Sequence, residues 1–167
     1  MTGERTDGRS VRAGTTGEEA TEPFRTVLDA EERWLADVTH AADLTRWRAR
    51  VIREVMDRRS PYAVALRRDR NACRQNAFLQ DWRSLITGTL ERVRSSEPDQ
   101  PDREIAVRAT TTRTEDVATA ILAALHGGAT LSWLADDPRS LEAALDIALA
   151  PVLAACAARG AGHRPPR

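Results

Sequence analysis

Apolar positions recur at helical spacing along most of the chain, most densely between Thr114 and Cys156. That stretch reads as two helices joined by a tight Asp136-Asp137-Pro138 corner. Thr114 is placed to cap the first helix, and Glu115 and Asp116 follow in its first turn, where carboxylates favour the positive end of the helix dipole. Val117, Ile121, Leu122, Leu125, Leu131, Trp133 and Leu134 make this helix apolar nearly all round. The second begins with Asp137 as cap and Pro138 at the first helical position, where a missing N–H costs nothing. Leu141, Leu145, Leu149 and Val152 form its stripe, and Pro151 is expected to kink the helix or end it near Ala150.

A helix without a polar face must be covered on every side. A chain of 167 residues has few other elements for that task, so a second copy is the natural partner. The expected interface comprises Leu125, Gly127, Gly128, Leu131, Leu141, Leu145 and Leu149. A glycine inside a helix costs roughly 1 kcal/mol relative to alanine. The Gly127-Gly128 pair therefore marks either the close approach of another backbone or a kink.

Upstream, the same spacing predicts a helix from Phe24 to about Ala42, with Phe24, Val27, Leu28, Trp34, Leu35 and Val38 on one face. Asp43 is the expected cap of a second helix carrying Leu44, Trp47, Val51, Ile52 and Val55, which Ser60-Pro61 closes. A short helical piece follows at Tyr62–Leu66, then a long helix from about Asn71 to Arg94 with Leu79, Trp82, Ile86, Leu90 and Val93 aligned. Ser95–Arg113, with Pro98 and Pro101, reads as a long loop with a possible helical turn at 103–108. The fold class expected is all-α, an antiparallel bundle of about six helices whose last two build a four-helix bundle across a dimer.

The block I-L-A-A-L-H-G-G-A-T-L-S-W-L-A-D-D-P-R-S-L-E-A-A-L-D-I-A-L, Ile121 to Leu149, resembles the last two helices of the ligand-sensing domain of TetR-family transcriptional regulators, in the branch with an LmrA/YxaF-like C-terminal domain. The segment Trp82–Leu90 resembles the pocket-forming helix before them. The likeness spans about Phe24 to Ala158 and is strongest in the C-terminal half. It implies a homodimer and a hydrophobic small-molecule effector, with Tyr62, Phe78, Trp82, His126 and Trp133 lining a cavity between the long helix and the dimer helix. The same aromatic residues can equally fill the core, and His126 can equally bond a nearby backbone carbonyl.

The family carries a three-helix DNA-binding domain ahead of the sensor. Residues 1–22 cannot supply one: they hold almost no large apolar residue, and their five carboxylates outnumber three arginines. They are expected to be disordered, as is the tail 159–167, leaving 23–158 as the sensor and dimerisation domain. Direct DNA binding is therefore not expected. The chain reads as a free-standing sensor-type domain, a truncated regulator, or one whose true start lies further upstream. An interaction module that pairs with intact relatives is the alternative.

Composition adds bounds. All 25 basic residues are arginine, matched by 25 carboxylates, so no net field draws the chain to nucleic acid or membrane. Arg46–Arg74 is locally basic, with ten arginines against Glu54, Asp57 and Asp69. It is either an anion-facing surface or a solvated face that balances acidic neighbours. Cys73 and Cys156 lack metal or redox spacing, and a reduced cytoplasmic setting fits them. No run is judged to approach the ~20 apolar residues of a membrane helix, and no secretory signal is evident. His40, His126 and His163 have no metal-binding spacing, and no nucleophile elbow or phosphate loop is present. No catalytic residue, metal or cofactor is expected.

Overall fold

The computed structural model describes residues 22–67, 72–96 and 113–160, with side chains from 76 in the second span and to 157 in the third. The described residues form six helices and no strand: α1 (Glu22–Ala36), α2 (Ala41–Met56), α3 (Pro61–Arg67), α4 (Ala72–Ser96), α5 (Thr114–Ala135) and α6 (Arg139–Gly160). The all-α expectation holds. The loop expected after Ser95, the N-terminal segment 1–21 and the tail 161–167 lie outside the described residues.

The stripes anticipated from the sequence converge on one core. α5 and α6 pack along their lengths as an antiparallel pair, α4 lies against α5, and α1 sits on α3 and α4. α2 reaches α3, α5 and α6. In α1 the buried positions are Phe24, Val27, Glu31 and Leu35, so a carboxylate occupies the helical stripe. Trp34, expected on that face, is instead 51% exposed.

Four boundaries differ from expectation. α1 stops at Ala36 rather than Ala42, and Asp43 lies inside the first turn of α2. From there its carboxylate accepts the backbone N–H groups of Thr39 (3.1 Å) and His40 (3.0 Å), capping the helix from within. Thr114 is the first helical residue of α5, with Arg113 in the cap position, and its hydroxyl donates to Glu91 of α4 (3.3 Å). Pro151 neither ends nor interrupts the assignment of α6, which runs on to Gly160. Its ring sits on the exposed side, where the Ile147 carbonyl lacks only the N–H that a proline cannot offer.

The corner between α5 and α6 is built from short polar links. α5 ends at Asp136, whose φ of 53° is the one positive value at a non-glycine among the described residues. The buried Ser132 hydroxyl accepts the Leu141 N–H (3.0 Å), and the Asp137 carboxylate accepts that of Arg139 (3.0 Å), as a capping residue should. Past the corner the helices run unusually close. A Cβ at Gly128 would lie 2.8 Å from the Leu141 Cα, so only glycine fits there. Of the glycine pair, Gly128 marks a close approach, and the approaching backbone belongs to the same chain, whereas Gly127 faces open space.

Candidate functional site

The faces of α5 and α6 sort the expected interface residues into two groups. Leu125, Leu141, Leu145 and Leu149 are all 0% exposed within the single chain, and Gly128 is buried against α6. This corrects their expected role: the leucine stripe closes α6 onto its own chain and cannot meet a twin. Gly127 and Leu131 do remain at the surface, Gly127 with nothing within 4 Å of a Cβ placed on it. Beside them stand two residues absent from the expected set, Leu134 at 81% exposure and Ile147 at 75%. Spacing could have found them, since Gly127, Leu131 and Leu134 fall one and two turns apart on α5. A helix apolar all round carries two stripes, and the richer leucine stripe drew the assignment.

This outer face is continuous in character. From Thr119 to Ala135 the exposed positions of α5 carry no charge, and Ala120 and Ala123 keep it low. On α6, Ala143, Ile147, Ala150, Pro151 and Ala154 continue it. The only charge among these α6 positions is Asp146, which Arg48 of α2 holds at 2.6 Å. Both helices, over Thr114–Ala135 and Arg139–Ala157, are long and apolar enough to cross a membrane by length and composition. That corrects the expectation that no run approaches such a length. Their inner sides are packed into the core described above.

Of the expected pocket residues, three come together. Tyr62 (α3), Phe78 and Trp82 (α4) are all buried, with Trp82 edge-on to Tyr62 at 6.0 Å between ring centroids and 5.4 Å from Phe78. Phe24 stacks on Phe78 at 4.8 Å. Trp133 lies elsewhere, its indole N–H donating to the Val55 carbonyl (3.0 Å) while Arg67 covers its ring. His126 is half-buried two turns before Trp133 on α5.

At the centre of the aromatic group is Glu31, which the sequence did not single out. Its side chain is fully buried. Oε2 accepts the indole N–H groups of Trp47 (2.8 Å) and Trp82 (3.3 Å). Oε1 accepts the Tyr62 hydroxyl (2.5 Å) and an Arg50 N–H (3.0 Å), and a second Arg50 N–H donates to the Tyr62 oxygen (2.7 Å). The Arg50 guanidinium also lies 4.6 Å from the Trp34 ring centroid and 5.3 Å from that of Tyr62. Burial and the neighbouring Glu31 charge hold the Tyr62 phenol far above its ordinary range, so it stays a neutral donor. One carboxylate of α1 is thereby satisfied by groups from α2, α3 and α4.

Among the described residues, five of the seven arginines of the basic segment make structural contacts. Besides Arg50, Arg46 pairs with Asp43, Arg48 with Asp146, and Arg58 with Asp136. Arg58 also donates to the Trp133 carbonyl, and Arg67 to the Arg58 carbonyl, stitching the α2–α3 corner to the α5–α6 corner. This use favours the balancing role over an anion-facing surface. Among the described residues, no group of three or more metal-ligating side chains comes together. Comparison with protein families, characterised proteins and solved structures finds no match to this chain.

Proposed function

We propose that the chain is a small-molecule-sensing and dimerisation domain of the TetR-regulator type, joined to a second copy of itself through the outer faces of α5 and α6. The observation that supports it is the uncharged apolar face containing Leu131, Leu134 and Ile147, 57%, 81% and 75% exposed. Large apolar side chains this exposed, with no charge beside them on their own helices, are what an interaction site presents. The small residues Ala120, Ala123 and Gly127 between the large ones suit close helix-to-helix approach. A second copy matches the surface in character, and zero formal net charge leaves no general repulsion between twins.

In this reading a hydrophobic effector prefers one arrangement of the helices and shifts the population toward it. The output then passes through the dimer. Sedimentation velocity across a concentration series tests the assembly. The wild-type chain is expected to dimerise, and Leu131→Glu with Ile147→Glu to leave a folded monomer. A wild-type chain that stays monomeric at the highest attainable concentration overturns the proposal.

A further inference from the structure

We infer that the corner between α2 and α3 is a strap that governs assembly. Fastened, it holds the last turn of α5 in the form whose outer side pairs with a second copy; released, it lets that turn unwind, and part of the pairing face is lost. The inference rests on the dimer reading above and supplies its regulation. Three observations carry it.

First, the end of α5 is finished by groups from another part of the chain. A helix leaves the carbonyls of its last turn without helical partners. That of Ser132 accepts the Asp137 N–H (3.0 Å) from the following corner. That of Trp133 accepts Arg58 instead (3.3 Å), which also pairs with Asp136 (3.1 Å). The Trp133 indole N–H donates back to the Val55 carbonyl (3.0 Å), and the Arg67 guanidinium lies 5.0 Å from its ring centroid. Arg67 completes the circuit by donating to the Arg58 carbonyl. Both the backbone and the side chain of Trp133 are thus tied to the α2–α3 corner.

Second, the strap and the pairing face share one helical turn. Leu131 and Leu134 lie three residues apart on the outer side of α5, and Trp133 stands between them in sequence with its ring toward the corner. The backbone that Arg58 and Trp133 hold is therefore the backbone that aims Leu134. Once the strap opens, a partner must bear the entropy of ordering that turn again.

Third, the strap is poised to open and its opening has a natural limit. The side chains of Arg58 and Asp136 are 59% and 86% exposed, so water competes for the pair. Asp136 sits at φ 53°, a region an L side chain enters at a cost, and only the surrounding contacts keep it there. One turn earlier, Ser132 is buried and its hydroxyl accepts the Leu141 N–H, which stops unwinding at that point. Linkage makes the effect reciprocal: pairing fastens the strap by as much as the strap favours pairing.

The test combines amide exchange followed by NMR with sedimentation of the full chain, for wild type, Arg58→Gln and Arg67→Gln. Both changes fall on exposed side chains outside the core. At a concentration where the chain is monomeric, the amides of Trp133, Leu134 and Ala135 are expected to exchange about tenfold faster in Arg58→Gln, the effect of losing a charged hydrogen bond at a helix end. Those of Ile121 and Leu122 are expected to stay unchanged. The dimer dissociation constant is expected to rise severalfold in both variants, and in wild type the same three amides are expected to slow as the concentration passes through the dimer range. Unaltered exchange of that turn in both variants overturns the inference. Faster exchange with an unchanged dissociation constant also overturns it, and leaves the dimer reading standing. A wild-type chain that never dimerises overturns both. Should Arg58→Gln fail to fold, Arg67→Gln carries the same comparison.

Discussion

The neighbouring glycines of α5 should answer the same substitution in opposite directions. A methyl group at Gly128 would sit 2.8 Å from the Leu141 Cα, 3.2 Å from its Cδ1 and 3.3 Å from the Ala144 Cβ. The nearest of these is backbone, which cannot rotate aside. Relief requires α5 and α6 to separate by about 0.6 Å to regain ordinary contact, opening gaps along a seam that holds Leu125, Leu141, Leu145 and Leu149. Overpacking of this kind costs about 1–3 kcal/mol. Against it stands a gain of about 1 kcal/mol from replacing glycine in a helix. The net expectation for Gly128→Ala is a loss of up to about 2 kcal/mol. Gly127→Ala meets nothing within 4 Å, so the monomer should gain up to about 1 kcal/mol. Urea denaturation at a concentration too low for association separates the two variants. A sedimentation series then reads association, which Gly127→Ala should weaken if the paired faces meet closely there. A Gly128→Ala chain stabilised as much as Gly127→Ala would refute the packing argument. Unchanged association in Gly127→Ala would show that the dimer does not use that position for close approach.

Other outcomes follow from the buried and capping groups. Glu31→Leu strands the Arg50 charge in the core and should cost about 3–5 kcal/mol, whereas the double change Glu31→Leu, Arg50→Met should recover most of it in a denaturation cycle. Trp133→Phe removes the donor to the Val55 carbonyl and should cost about 1 kcal/mol by the same assay. The N–H groups of Thr39 and His40, with Arg46 adding a smaller pull, hold the Asp43 carboxyl below its ordinary value of 3.8. Its contribution is therefore complete above that value and fades as the pH falls through the lowered one. Asp43→Asn should reduce stability near neutrality, and its unfolding curve should converge on that of wild type in strong acid.

Helical periodicity foretold the core because Val27, Trp47, Trp82 and Leu145 obey it locally. The stripe through Phe24, Val27 and Leu35 even passes through Glu31, yet a carboxylate flanked by Asp29 and Glu32 reads as solvent-facing. What buries it arrives from α2, α3 and α4, which no window of sequence contains. The same limit displaced the proposed dimer face. A helix apolar on all sides does not say which side its own chain will cover, and the close pass at Gly128 settled that in favour of the leucines. At Asp43 the chemistry was legible and its register was not: the residue caps α2, but from inside the first turn.

The concentration of so many donors on one carboxylate bears on how the native state opens. α1 cannot lift away alone without leaving Arg50, Tyr62, Trp47 and Trp82 to find other acceptors at once, so fraying from that end is arrested at Glu31. That junction ties the first four helices together, so amide protons on either side of it in α1 and α4 should exchange through the same rare opening.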